Sequence, residues 1–189
     1  MGDRSAFTEK NRMLIGKNYH FFNRADHSSP TDFPDYYGDL LSLAEVSVKV
    51  WDPYFTAGDE DLFTNVQAGV DVTILYIYMA SLGRRTLGLN ATDVKNRVET
   101  RLPTGHGTLK VAYLPNSDTA LYEARKWHDR FLILDDTLVF LVGGSMAYQH
   151  LSAKCFGVYD ISDDEDAALI MERFEKTLYE VENKSYVVL

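Results

Sequence analysis

Apolar and polar positions along this chain recur with two periods, and the switches between them mark out its elements. Val46 to Trp51 alternates as a strand does, and Asp52-Pro53 ends it, because proline supplies no ladder hydrogen bond. Asp59 to Ala68 reads as a helix stopped by Gly69, and Val72 to Tyr78 as a second strand rich in β-formers; together they predict a right-handed βαβ unit with parallel strands. Asn90 to Leu102 sets Val94, Val98 and Leu102 on one helical face before Pro103 and Gly105 stop it. Leu109, Val111 and Tyr113 alternate in a third strand. After a loop from Pro115, the apolar run Phe131 to Leu134, the turn at Asp135-Asp136 and the run Leu138 to Val142 predict a buried hairpin. A strand from Cys155 to Ile161 follows. Ser162 with Glu165 then reads as the capping box of a last helix, in which Ile170, Phe174 and Leu178 recur at four-residue spacing.

Residues 1–45 carry no convincing periodic strand. They hold an aromatic cluster, Tyr19-His20-Phe21-Phe22, a turn-rich stretch from His27 to Pro34, and Leu40, Leu41 and Ala44 at helical spacing. The expected organisation is an N-terminal arm with a short helix over 1–45 and one α/β layered domain with a mixed sheet over 46–189. No internal repeat is visible.

Composition narrows the function classes. A chain of 189 residues with 46% hydrophobic and 13% aromatic residues can bury a sizeable core. Its longest apolar segments are cut by Asp or Gly well short of the roughly 18 residues of a membrane span, and its polar start lacks a signal-peptide pattern. A cytoplasmic protein without membrane attachment is expected. Cys155 is the single cysteine, which excludes an intrachain disulfide and a thiolate metal site. His20, His27, His106, His128 and His150 show no metal-ligand spacing, and neither Gly-x-Gly-x-x-Gly nor a P-loop pattern occurs, so no metal and no cofactor are expected. A net charge of -9 argues against indiscriminate binding along a polyanion and leaves room for a small local basic site.

That local site is the start of the hairpin. In an extended strand His128 and Arg130 share a face, so an imidazole stands beside a fixed positive charge. The stretch His128-Asp129-Arg130-Phe131-Leu132-Ile133-Leu134-Asp135, with Gly143-Gly144-Ser145 downstream, resembles the phospholipase D-like superfamily, whose pattern is His-x-Lys-x4-Asp followed by Gly-Ser and usually an Asn two residues later. Arg130 stands in the Lys position and Ala147 in the Asn position. The sequence is more similar still to a branch with His-Asp-Arg-[Phe/Tyr]-Leu-Ile-[Ile/Leu]-Asp, a glycine-rich Ser turn and a Lys-aromatic strand, matched by Lys154, Cys155 and Phe156. That branch occurs in bacterial, phage and mobile-element proteins, often as one module of a longer chain, which also fits a motif so near the carboxyl end.

The resemblance implies a mixed β-sheet flanked by helices on both faces, and a metal-independent phosphodiesterase or nuclease. His128 would be the nucleophile, Arg130 the phosphate clamp and Asp135 the motif carboxylate. Ser145 and Gly144 would bind the phosphate, with Lys154 and Asp129 supplying further substrate contacts. The reaction needs two histidines and this chain has one motif, so the resemblance also implies a homodimer with the site across its two-fold axis. Its substrate would be a soluble diester such as DNA or RNA, since no amphipathic or lipid-anchoring segment is visible. Arg130, Ala147 and the placing of Lys154-Cys155 where many members have an acidic residue keep an alternative open: a catalytically degenerate module for dimerisation or nucleic-acid binding within a defence or transposition system. Arg84, Arg85, Arg125 and Lys126 would flank a phosphate groove or be solvated loop charges. Asp52 would border the same cleft or simply make an Asp-Pro turn. The acidic run Asp163 to Asp166 reads as first-turn charge favourable to the helix dipole.

Overall fold

The structure is a computed structural model that describes residues 19–23, 32–53, 55, 58–78, 90–115, 118, 121, 129–143 and 155–188. In chain order the elements are β1 (Tyr19–Asn23), α1 (Asp32–Leu41), β2 (Ser47–Trp51), a 3-10 helix (Asp59–Asn65), β3 (Asp71–Tyr78), α2 (Ala91–Glu99) and β4 (Leu109–Pro115). After them come β5 (Arg130–Leu134), β6 (Leu138–Val142), β7 (Cys155–Asp160), α3 (Glu165–Asn183) and β8 (Val187–Val188). The strands form one eight-stranded sheet in the order β1-β7-β6-β5-β2-β3-β4-β8. β2, β3 and β4 are parallel, while β5, β6 and β7 pair antiparallel, so the sheet is mixed as expected.

Period-two alternation sends the two faces of the sheet into two cores. Val48, Val50, Val72, Ile74, Leu132, Leu134 and Phe140 face one core, closed by Tyr37 and Leu41 of α1, Leu62 and Phe63 of the 3-10 helix, and Val94 and Val98 of α2. Trp51, Leu75, Ala112, Phe131, Ile133 and Val139 face the other, covered by Ala167, Ile170, Phe174, Leu178 and Val181 of α3. Trp51 anchors this second layer, with edge-on contacts to Phe131 and Phe174 at centroid distances of 6.3 and 6.0 Å. Helices thus lie on both faces, as the resemblance implies.

The β5–β6 hairpin fixes the middle of the sheet. Asp135 and Asp136 both take φ 53, the left-handed conformation that a type I′ turn requires and aspartate tolerates, and the Thr137 N–H closes the turn on the Leu134 carbonyl at 3.0 Å. The Asp135 carboxylate then reaches across to β2. Its Oδ1 accepts from the N–H groups of Val46 and Ser47 at 2.8 Å each, and its Oδ2 from that of Glu45 at 3.0 Å. On the opposite face Lys49 of β2 binds Asp136 and Glu175 of α3, each at 2.5 Å, and these carboxylates raise the Lys49 pKa against its partial desolvation.

Four local readings differ from the structure. The aromatic cluster is an edge strand, β1, with Tyr19 opposite Tyr159 and Asn23 opposite Cys155; it shows no apolar–polar alternation in sequence. Residues 59–65 form a 3-10 helix, shorter than the helix expected to reach Ala68. The cap of α3 is Asp164, whose side chain accepts from the Asp166 N–H, while Ser162 is spent on β6: its hydroxyl accepts from the Val139 N–H at 2.9 Å. The terminal strand β8 adds to the β4 edge and has no counterpart in the sequence pattern.

Replacing Asp135 with Ala removes a charged acceptor shared by three backbone donors, and is expected to lower the unfolding free energy by about 2 kcal/mol in urea titration. Glu60 gives a pH-dependent counterpart. It is largely buried; desolvation pushes its pKa up, but the Gly58 N–H at 2.6 Å and Arg97 at 3.0 Å outweigh that and hold it below the ordinary value of 4.5. A depressed carboxylate contributes stability above its unfolded pKa and loses it as pH falls through the folded value. Glu60→Gln is therefore expected to cost about 1 kcal/mol at pH 7, with its urea midpoint converging on that of the wild type in acid below the ordinary glutamate pKa.

Candidate active site

The register of β2 on β5 pairs Trp51 with Phe131, which sets Asp52 across from Arg130 where the two strands end. Asp52 is held by its backbone: its N–H donates to the Leu75 carbonyl at 3.1 Å and its carbonyl accepts from the Phe55 N–H at 3.2 Å. Its side chain has no exposed surface, and its Oδ1 lies 3.3 Å from the Nε of Arg130, a side chain that is 16% exposed. That Nε is itself shielded from solvent. A carboxylate this buried is tolerable only beside a cation, and β5 supplies one from the edge of the core.

Tyr37 of α1 and Asp59 at the start of the 3-10 helix are both buried, and Tyr37 feels the charges of Asp52 and Asp59. Burial chiefly, then the charges of Asp52 and Asp59, push the Tyr37 hydroxyl well above its usual pKa, so it stays protonated beside the two carboxylates. The N-terminal end of β5 thus carries a guanidinium against the buried carboxylate of Asp52. Gly143 borders the same end of the sheet. Its N–H donates to the Gly157 carbonyl at 2.7 Å, and a Cβ there would stand 3.1 Å from that same oxygen, a tighter approach than most side chains make. Among the described residues no three His, Cys, Asp or Glu side chains gather where they could hold a metal ion, and no helix is long and apolar enough to cross a membrane.

No protein-family profile matches this sequence, and no curated protein matches it by sequence. Solved structures do match the fold. NucT from Helicobacter pylori superposes with a TM-score of 0.57 at 18% identity, over 85% of this chain and 95% of that one. Nuc from Salmonella typhimurium, a phospholipase D family member, superposes with a TM-score of 0.54 at 14% identity, over 85% of this chain and 93% of that one. The fold is phospholipase D-like.

Within this phospholipase D-like sheet the expected site residues fall into three groups. Arg130 sits at the strand end against Asp52, and Asp129 beside it is exposed. Asp135 lies at the other end of β5, about 16 Å along the strand, with its carboxylate engaged by the start of β2. The structure does not bring it to Arg130. His128, Gly144, Ser145 and Lys154 lie outside the described residues, as do Ala147, Arg84, Arg85, Arg125 and Lys126. Asp52 was one of two readings of an Asp-Pro turn, and the structure gives it a place against Arg130. Tyr37 and Asp59 had no motif, and Asp59 opens an acidic run, Asp59-Glu60-Asp61, that gives no sign of burial.

Removing the cation should take from buried Asp52 the counter-charge of Arg130. Arg130→Met is expected to lower the unfolding free energy by about 3 kcal/mol in urea, whereas Asp52→Asn combined with Arg130→Met should be less destabilised than Arg130→Met alone.

Proposed function

We propose that the chain is a phosphodiesterase of the phospholipase D type, cleaving a nucleic acid or a related soluble diester in a site shared by two copies. The observation that carries the reading is Arg130, a cation fixed by a buried carboxylate at the end of the motif strand. His128 precedes it by two residues, so chain connectivity alone keeps their Cα atoms within about 7.6 Å. Ser145 follows Gly143 by two residues and is tethered to the same strand ends.

In the proposed reaction an imidazole nitrogen of His128 attacks phosphorus and the P–O bond to the leaving group breaks. His128 of the second copy gives that oxygen its proton, leaving a phosphohistidine. The second imidazole then takes a proton from water, whose oxygen displaces His128 and frees the phosphomonoester. Arg130 binds the non-bridging oxygens, where charge grows in each transition state, with Ser145, Gly144 and Lys154 as further phosphate contacts. Asp135 serves by pinning β5 to β2, away from the substrate. A cytoplasmic setting in a bacterium or mobile element belongs to the same proposal. Ala147 in place of the usual amide donor supports a second reading, a binding module that dimerises on nucleic acid without cutting it.

The test is cleavage of a fluorescent single-stranded oligonucleotide and of a chromogenic phosphodiester, both in EDTA. Turnover by a dimer in sedimentation, falling at least about a thousandfold in His128→Ala, is the expected result. A folded dimer that binds the oligonucleotide and cleaves neither substrate would replace the enzyme reading with the binding module.

A further inference from the structure

We infer that Asp52 is a positioning residue for the phosphate site and the reason position 130 requires arginine; the inference rests on the proposed role of Arg130. Three observations converge. Asp52 has no exposed surface and is locked by backbone hydrogen bonds to Leu75 and Phe55, so it does not swing away when substrate arrives. Its Oδ1 lies 3.3 Å from the Nε of Arg130 in an ion pair whose geometry is not that of a hydrogen bond, and that nitrogen is shielded from solvent. Asp59 is buried as well, and its charge and that of Asp52 act on the same Tyr37 hydroxyl, so the surroundings of Asp52 are acidic and favour a cation beside it.

A guanidinium answers both demands at once. Its Nε side lies against the carboxylate as a charge contact, and the rigid plane of the same group carries two terminal nitrogens whose spacing matches two phosphate oxygens. A lysine has one nitrogen at the end of a flexible stem. Placed here, its ammonium would be held by the buried Asp52 or reach the phosphate, each at the other's expense. Asp52 therefore sets both the orientation of Arg130 and the identity of the residue at 130, without touching substrate itself.

The experiment is a mutant cycle of Asp52→Asn, Arg130→Lys and the double variant. Its readout is the dissociation constant for inorganic phosphate by calorimetry, with circular dichroism melts confirming that each variant is folded. Arg130→Lys should weaken phosphate binding about tenfold or more, and adding Asp52→Asn should recover at least about threefold of that loss, because the ammonium is released from its competitor. A purely structural Asp52 would not produce recovery. A double variant that binds phosphate no better than Arg130→Lys, an Arg130→Lys that binds as the wild type does, or a wild type that does not bind phosphate overturns the inference. Recovery in a protein that cleaves no diester supports it and removes only the hydrolytic reading. Should the two variants carrying Asp52→Asn not fold, the native protein gives a second readout in its Arg130 Nε–H resonance. Persistence of that resonance against solvent exchange, before and after saturation with phosphate, supports the pairing; rapid exchange in either state overturns it.

Discussion

A carboxylate with no exposed surface stands at the end of β2, and a guanidinium on the adjacent strand stands across from it. The pair and the strand register specify each other. Slipping β5 by one residue against β2 would carry Arg130 to the opposite face of the sheet, leave Asp52 buried without its cation, and turn Leu132 and Leu134 out of their core. Hydrophobic alternation and ionic pairing therefore impose the same alignment. Neither Asp52 nor Arg130 can be understood from its own strand.

The far end of the same strand pair is fixed by a different device. Asp135 gathers three backbone N–H groups where the chain enters β2, and its own N–H donates to the Ser47 carbonyl at 2.9 Å. Lys49 ties this end to α3 through Glu175. Both ends of β2–β5 are thus held, one by a charged acceptor over backbone donors and one by a buried ion pair. Arg130 consequently rides on a paired strand, and geometry that a loop would blur is kept.

Local pattern carried much of this architecture and could not carry the rest. The hairpin, the parallel strands Val72 to Tyr78 and Leu109 to Tyr113, and the buried stripe Ile170, Phe174, Leu178 were legible because each is a short-range periodicity meeting a core. β1 was not, because an edge strand of consecutive aromatics and a histidine shows no alternation and owes its extension to β7. Ser162 was misread because the same serine that can cap a helix can serve a neighbouring strand, and only the fold brings Val139 to it. The motif gave Arg130 from sequence. Its partner came from β2–β5 pairing between segments about eighty residues apart, a register that no local pattern encodes. Asp135 shows the converse: sequence spacing attached it to the motif, while the structure spends its carboxylate on the backbone of β2.

Charge supplies the last step. A chain of net charge -9 repels a polyanion at long range, yet screening confines that repulsion to roughly 8 Å at physiological ionic strength, so contact groups decide what binds. At the described site those groups include a guanidinium against the buried carboxylate of Asp52, and on the proposed reading a phosphodiester meets a cation already shared with Asp52. On the proposed reading a second copy answers this shortage along with the chemical one. It brings a second guanidinium to the non-bridging oxygens as it brings the second imidazole to the leaving group. The need for two cations and the need for two histidines then point to the same two-fold axis, and a site incomplete in either respect within one chain is completed in both by its partner.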